Sequence, residues 1–181
     1  MSNPVELWSI GHSNHGPERF VELLQQHGIE AVADVRSQPY SRFSPHFRQT
    51  ALRQLLAEAG LGYVFLGREL GGRPPEPDLY DDAGNVLYDQ LAQTERFADG
   101  LQRLLDGAVK QRVAMMCSEE DPTRCHRRLL ITQALLERGA PPTVIHIRGD
   151  GRLVAEAEGG HNEADESEQL TFFETPSASA Q

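Results

Sequence analysis

Apolar residues along the chain fall into two rhythms. Leu7-Trp8-Ser9-Ile10, Ile29 to Val35, Gly62-Tyr63-Val64-Phe65-Leu66, Arg112 to Cys117 and Thr143-Val144-Ile145-His146-Ile147 are short, mostly apolar runs. Runs of that length predict strands covered on both faces. Between them, apolar residues recur at helical spacing. Phe20, Val21, Leu23 and Leu24 follow Pro17, and Gly28 closes the segment. Leu52, Leu55 and Leu56 lie between Gln49 and Ala59, ahead of Gly60. Leu91, Phe97, Leu101, Leu104 and Leu105 mark a helix from Gln90 to Val109. Leu129, Leu130, Ile131, Ala134, Leu135 and Leu136 mark another from Pro122 to Arg138, opened by Asp121-Pro122 and ended by Gly139. Asp can cap free N–H groups there and Pro suits the next position.

Two segments follow neither rhythm. Arg36 to Arg48 is broken by Pro39 and Pro45 and crowded with Tyr40, Arg42, Phe43, His46 and Phe47. Gly67 to Asp89 reads as a long loop with Gly71-Gly72 and three prolines, and loops of that length are often functional. After the turn Gly149-Asp150-Gly151, Leu153-Val154 is expected to pair briefly. The alternation of strands and helices predicts an α/β fold. We expect a single layered domain with a mostly parallel central sheet of about five strands flanked by helices. Ligands of such sheets sit beyond the carboxyl ends of the strands. Gly11-His12-Ser13, Asp34-Val35-Arg36, Gly67-Arg68 with Gly71-Gly72, and Cys117-Ser118-Glu119 all occupy that position on their strands.

Composition changes the picture at the carboxyl end. From Glu156 to Gln181 there are seven acidic residues and no Lys or Arg, which leaves 17 basic and 20 acidic residues in the body, a charge of −3 rather than −10. The reading is an α/β domain over residues 1–155 and an acidic, disordered tail over 156–181. A nearly balanced body suits an anion held in a local pocket and argues against a broad footprint on duplex DNA. Sixteen of the seventeen basic residues are Arg, which reflects genome composition or supplies planar forks for phosphate and carboxylate. No apolar run approaches the roughly 18–20 residues that span a bilayer. Met1-Ser2-Asn3-Pro4 does not begin a secretory signal, and two cysteines suit a reducing compartment, so the expected location is cytoplasmic and no membrane partner is expected.

Ser9-Ile10-Gly11-His12-Ser13, Asp34-Val35-Arg36 with Pro39 and Ser41-Arg42, Leu70-Gly71-Gly72, and Cys117-Ser118-Glu119 with Cys125-His126-Arg127 occur in this order. Together they resemble the bacterial and archaeal domain-of-unknown-function family number 488. The resemblance runs from about Leu7 to Ile147 and implies a compact α/β domain. It carries no assigned reaction or cofactor.

The residues themselves suggest an enzyme that binds a phosphorylated or otherwise anionic ligand, a nucleotide or nucleic-acid component. Glu119 and His12 are candidates to move a proton. Cys117 and Cys125 are candidate nucleophiles, against the plainer reading of small buried thiols. Ser13, Asp34, Arg36, Arg42, Gly71, Gly72, His126 and Arg127 are the candidate ligand-binding residues, with Arg124 beside them. Cysteine phosphatases also place Cys and Arg around a loop, but here Arg124 lies one residue too far from Cys117 and Glu119, Glu120 and Asp121 occupy the loop. The alternatives are a non-catalytic module for single-stranded nucleic acid or a protein, and a metal site of Cys117, Cys125, His126 and His12. The site assignment itself includes no metal ligand, because the spacing is not that of a zinc knuckle.

Overall fold

The computed structural model describes residues 5–139 and 141–156. Six strands form one sheet in the order β3-β2-β4-β1-β5-β6. They are β1 (Glu6–Gly11), β2 (Ala31–Asp34), β3 (Gly62–Phe65), β4 (Val113–Cys117), β5 (Thr143–Ile147) and β6 (Leu153–Ala155). The first five are parallel. β6 returns antiparallel on β5, with Ile147 opposite Leu153. The expected α/β sheet is therefore present, and its sixth strand is the short pairing expected at Leu153-Val154. None of the helices among the described residues is long and apolar enough to cross a membrane.

Each strand sends alternate side chains to opposite faces, so one short apolar run builds two cores. Trp8, Ile10, Val32, Ala114, Met116 and Ile147 meet Phe20, Leu23 and Leu24 of α1 (Pro17–Gln26) and Leu52 and Leu56 of α2 (Gln49–Glu58). Leu7, Ala31, Ala33, Val113, Met115 and Val144 meet Phe97, Leu101 and Leu104 on the other face. That face is covered by α3 (Gly67–Leu70), α4 (Tyr88–Ala92), α5 (Glu95–Lys110) and α6 (Gln133–Leu136). Apolar cover on both faces is why β1, β2 and β4 lack a polar stripe, whereas the edge strand β3, also expected to be covered on both faces, is half exposed because no strand lies beyond it.

The helices depart from the periodicity in three places, each for a local reason. The helix expected from Gln90 to Val109 is two. Thr94 ends α4 by donating its hydroxyl to the Leu91 carbonyl and opens α5 by accepting the Phe97 N–H. The long loop after β3 contains α3 and a 3-10 turn at Pro77–Leu79, because Leu70 and Leu79 are drawn into the core. The helix expected from Pro122 starts later. Asp121 caps a 3-10 turn at Pro122–Arg124, Cys125 is extended with φ −120°, and the helix resumes at His126. It opens as a π-helical segment, Arg127–Thr132, in which the Thr132 hydroxyl donates to the Arg127 carbonyl five residues back.

Glu156, read as the first tail residue, closes the body: its carboxylate accepts from Arg128 and His146, and its N–H donates to Val144. The rest of the expected tail lies outside the described residues. The segment from Arg36 to Arg48 mixes core and surface. Phe47 is 0% exposed and meets Phe20 edge-on, whereas Phe43 is 91% exposed. Phe47→Ala is expected to cost about 3–5 kcal/mol, as for other buried aromatic truncations. Phe43→Ala should stay within about 0.5 kcal/mol of the parent. Urea denaturation of the two variants measures both.

A candidate active site at the strand ends

Parallel pairing continues past the strand ends and draws the loops together. His12 N–H donates to the Cys117 carbonyl at 2.8 Å and Ser13 N–H to the Ser118 carbonyl at 2.9 Å, which aligns the loops after β1 and β4. Val35 N–H reaches the Met116 carbonyl and Leu66 N–H the Asp34 carbonyl, which adds the loops after β2 and β3. Gly11 permits the closest approach. A Cβ there would lie 2.0 Å from the Glu119 carbonyl oxygen, so the two chains could not run side by side with any larger residue. These loops enclose a cavity of about 680 Å³ whose lining includes Ser13, Arg36, Arg73, Cys117, Cys125 and His126. The cavity also touches Tyr40, Tyr88, Gly72, Glu119 and Arg124.

Sulfur and imidazole meet at its floor. Cys117 ends β4, and Cys125 and His126 stand where the helix resumes. His126 Nε2–H donates to the Val35 carbonyl at 3.0 Å. A carbonyl can only accept, so Nε2 carries a hydrogen, and in the neutral ring the lone pair is on Nδ1. That atom faces both Sγ atoms at 3.7 Å. Gly72 lets the ring lie against the chain, since a Cβ there would fall 2.8 Å from His126. The Cys125 thiol directed at Cys117 holds the Cys117 thiol below its ordinary value, and the Arg127 cation helps against the opposing effect of burial. The same hydrogen bond, reinforced by burial, pushes Cys125 up.

A charged network stands behind this floor. Arg36 grips Asp34 with Nε at 2.9 Å and Nη2 at 2.7 Å, both side chains being buried. Tyr63 donates to the same carboxylate at 2.9 Å. Arg36 Nη1 also donates to His12 Nε2 at 3.3 Å, while His12 Nδ1–H donates to the Ser13 carbonyl. Burial, with Arg36 pushing the same way, holds His12 down to about 4, so the ring is neutral. Both its nitrogens are engaged, it stacks on Phe47, and it lies outside the cavity lining.

The other sequence candidates are distributed unevenly. Ser13, Arg36, Gly72, Cys117, Glu119, Cys125 and His126 reach the cavity. Glu119 is an exposed carboxylate at the rim that accepts the Asp121 N–H at 3.2 Å. Asp34 lies one layer back. Gly71 abuts Ser37 and the Gly67 carbonyl rather than open space. Arg42 is exposed on the surface beside Phe43. Arg127 is buried under the Cys117 loop, where it donates to Ser9, to the Glu119 carbonyl and to Cys125 Sγ. Of the loop carboxylates, Glu119 and Glu120 line the cavity and Asp121 does not, and Glu120 is paired with both forks of Arg148, at 3.0 and 2.8 Å.

Tyr63, Arg73, Tyr88 and Ser9 were not among the sequence candidates. Ser9 had a signal, a hydroxyl inside an apolar strand run, and Arg73 follows directly on Gly71-Gly72. Tyr63 sits in an ordinary strand run, and Tyr88 near the end of the stretch read as a long loop.

The family model described as "Domain of unknown function DUF488" matches residues 16–134. The chain belongs to the DUF488 family. The match runs from α1 into the helix after Cys125 and includes the floor residues Cys117, Cys125 and His126; the β1 loop with His12 and Ser13 precedes it. Neither the comparison with curated proteins nor that with solved structures returned a match.

In this DUF488 domain, removing Asp34 would strand a buried guanidinium. Asp34→Ala is expected to destabilise by about 3–5 kcal/mol, as when one partner of a buried ion pair is deleted. Tyr63→Phe removes one hydrogen bond to the same carboxylate and should cost about 1 kcal/mol. Guanidinium-induced unfolding at neutral pH reads both.

Proposed function

We propose that this DUF488 chain is an enzyme acting on an anionic, phosphate-bearing ligand, a nucleotide or a nucleic-acid component. The ligand lies in the strand-end cavity, with its reacting group at the Cys117, Cys125 and His126 floor. One observation carries the reading. Arg73 and Arg124 line the same cavity as that floor, and neither guanidinium is in an ion pair among the described residues.

A planar guanidinium with no carboxylate partner is suited to a phosphate or carboxylate fork. Arg36 adds a third positive group, already tied to Asp34, which fixes its orientation. Tyr40 and Tyr88 give the walls aromatic surface on which a base can lie. Glu119, exposed at the rim, is the carboxylate placed to exchange a proton with a ligand. His12 supports Arg36 from behind rather than meeting the ligand.

A second reading rests on the exposed aromatic loop. Phe43 stands in solvent, with the Arg42 guanidinium 5.9 Å from its ring centroid. Such a pair fits a stacked base of a single strand, with binding and no chemistry.

Calorimetric titration at low salt with pyrophosphate, a nucleoside triphosphate and a short single-stranded oligonucleotide separates the two. The enzyme reading expects pyrophosphate and nucleotide to bind, and Arg73→Ala and Arg124→Ala each to weaken binding roughly tenfold, the loss of one charge-assisted contact. Thermal stability should be unchanged, because both side chains are exposed. No heat with any anion, or binding that ignores both substitutions, overturns the reading. Oligonucleotide binding that is lost in Phe43→Ala and kept in the arginine variants transfers the case to the second.

A further inference from the structure

Two thiols and one imidazole aim their donor atoms at one another. The two S···N separations are both 3.7 Å, and all three donor atoms lie within 4.8 Å of each other. Tetrahedral zinc, with bonds of about 2.3 Å to sulfur and about 2.0 Å to nitrogen, requires S···N edges of about 3.5 Å and an S···S edge of about 3.8 Å. The S···N edges are thus already close to the required length. Closing the S···S edge needs a sulfur shift of no more than about 1 Å.

We propose that Cys117, Cys125 and His126 bind one zinc ion, with the fourth coordination position open to the cavity. The donor set is soft and borderline, which favours zinc over magnesium or calcium. All three side chains are buried, yet all three line the cavity. The outer contacts are those of a ligand shell. His126 donates its far N–H to the Val35 carbonyl, which orients the ring and, in the neutral form, leaves the Nδ1 lone pair facing the sulfurs. Arg127 Nε–H donates to Cys125 Sγ at 3.3 Å, and the backbone N–H groups of Ser118 and Glu119 face Cys117 Sγ. These donors offset the charge of two thiolates.

His12 is not a fourth ligand, because Arg36 and the Ser13 carbonyl occupy its nitrogens. Two Cys and one His with an open position form a ligand set of catalytic zinc, where the ion polarises a substrate oxygen or a bound water. Both cysteines bind as thiolates, and any thiol proton still held leaves to solvent as the ion enters. The inference rests on the proposed pocket only for what the open position meets; the three ligands stand without it.

The test uses the full chain, free of any histidine tag, expressed with zinc and desalted into chelator-treated buffer. Elemental analysis should find about one zinc per chain. Cys117→Ala and Cys125→Ala should each bring the content near zero while circular dichroism shows the parent fold. Where an alanine variant fails to fold, the parent is stripped with chelator and reloaded with cobalt. Thiolate-to-cobalt charge transfer and strong four-coordinate visible bands are then expected, together with protection of both cysteines from iodoacetamide.

Zinc content unchanged in both variants overturns the proposal. So does a stripped, folded parent that takes up neither metal at micromolar concentration. Pyrophosphate titration of the same stripped protein keeps the two readings apart. Anion binding without zinc binding sinks the metal site alone, and zinc binding without anion binding sinks the pocket reading alone.

Discussion

One buried guanidinium holds the strand-end loops in register. Arg127 enters from the first helical turn after Cys125 and spreads its donors over three segments: Ser9 on β1, the Glu119 and Glu120 carbonyls after β4, and Cys125 Sγ on its own segment. It has no carboxylate partner among the described residues. Its desolvation, several kcal/mol for a buried ion, is offset by carbonyl dipoles and by the sulfur charge. A charge held in that way tolerates little movement, because every donor that loses its partner stays buried. The loop after β4 therefore sits on a rigid support.

A buried ion pair does similar work across the sheet. Asp34 and Arg36 lie two residues apart at the end of β2, and Tyr63 on β3 and His12 after β1 close the group from either side. Two networks thus flank the Cys117 floor, one tying β1 to β4 and the helix, the other tying β2 to β3 and β1. Between them the parallel register makes all four loops emerge at one edge. The cavity follows from that packing: its walls are loops whose backbones are already committed, leaving Arg73, Arg124, Tyr40 and Tyr88 to face the opening.

Much of this was legible in the chain before folding was considered. The strand runs were right to within a residue or two, because burial on both faces leaves an unmistakable apolar run in β1, β2 and β4, and Tyr63-Val64-Phe65 mark the edge strand β3. Gly28 and Gly60 end their helices at positive φ, as the pattern implied. Ser13, Arg36, Gly72, Cys117, Glu119, Cys125 and His126 reach the cavity because strand-end position alone carries a residue to the same edge. The illegible parts had no periodic signal. Thr94 splits a helix through a single hydroxyl. Cys125 adopts an extended conformation inside what reads as one helix, and the π-helical segment that follows has no signature in the apolar spacing.

By itself, the sequence determined the layered α/β architecture, the edge that gathers the polar loops, and the family. Those depend on hydrophobic period and local turn chemistry, which are written residue by residue. Tertiary structure decided the roles. Arg127 and Arg36 look alike in sequence to Arg73 and Arg124, yet the first two are buried supports and the second two face the cavity. His12 and His126 are both strand-end or helix-start histidines, but one is locked between Arg36 and the Ser13 carbonyl and the other turns a lone pair toward two sulfurs. Those differences are set by which partner atoms lie within hydrogen-bonding distance in space, and partners separated by tens of residues along the chain leave no mark on local pattern.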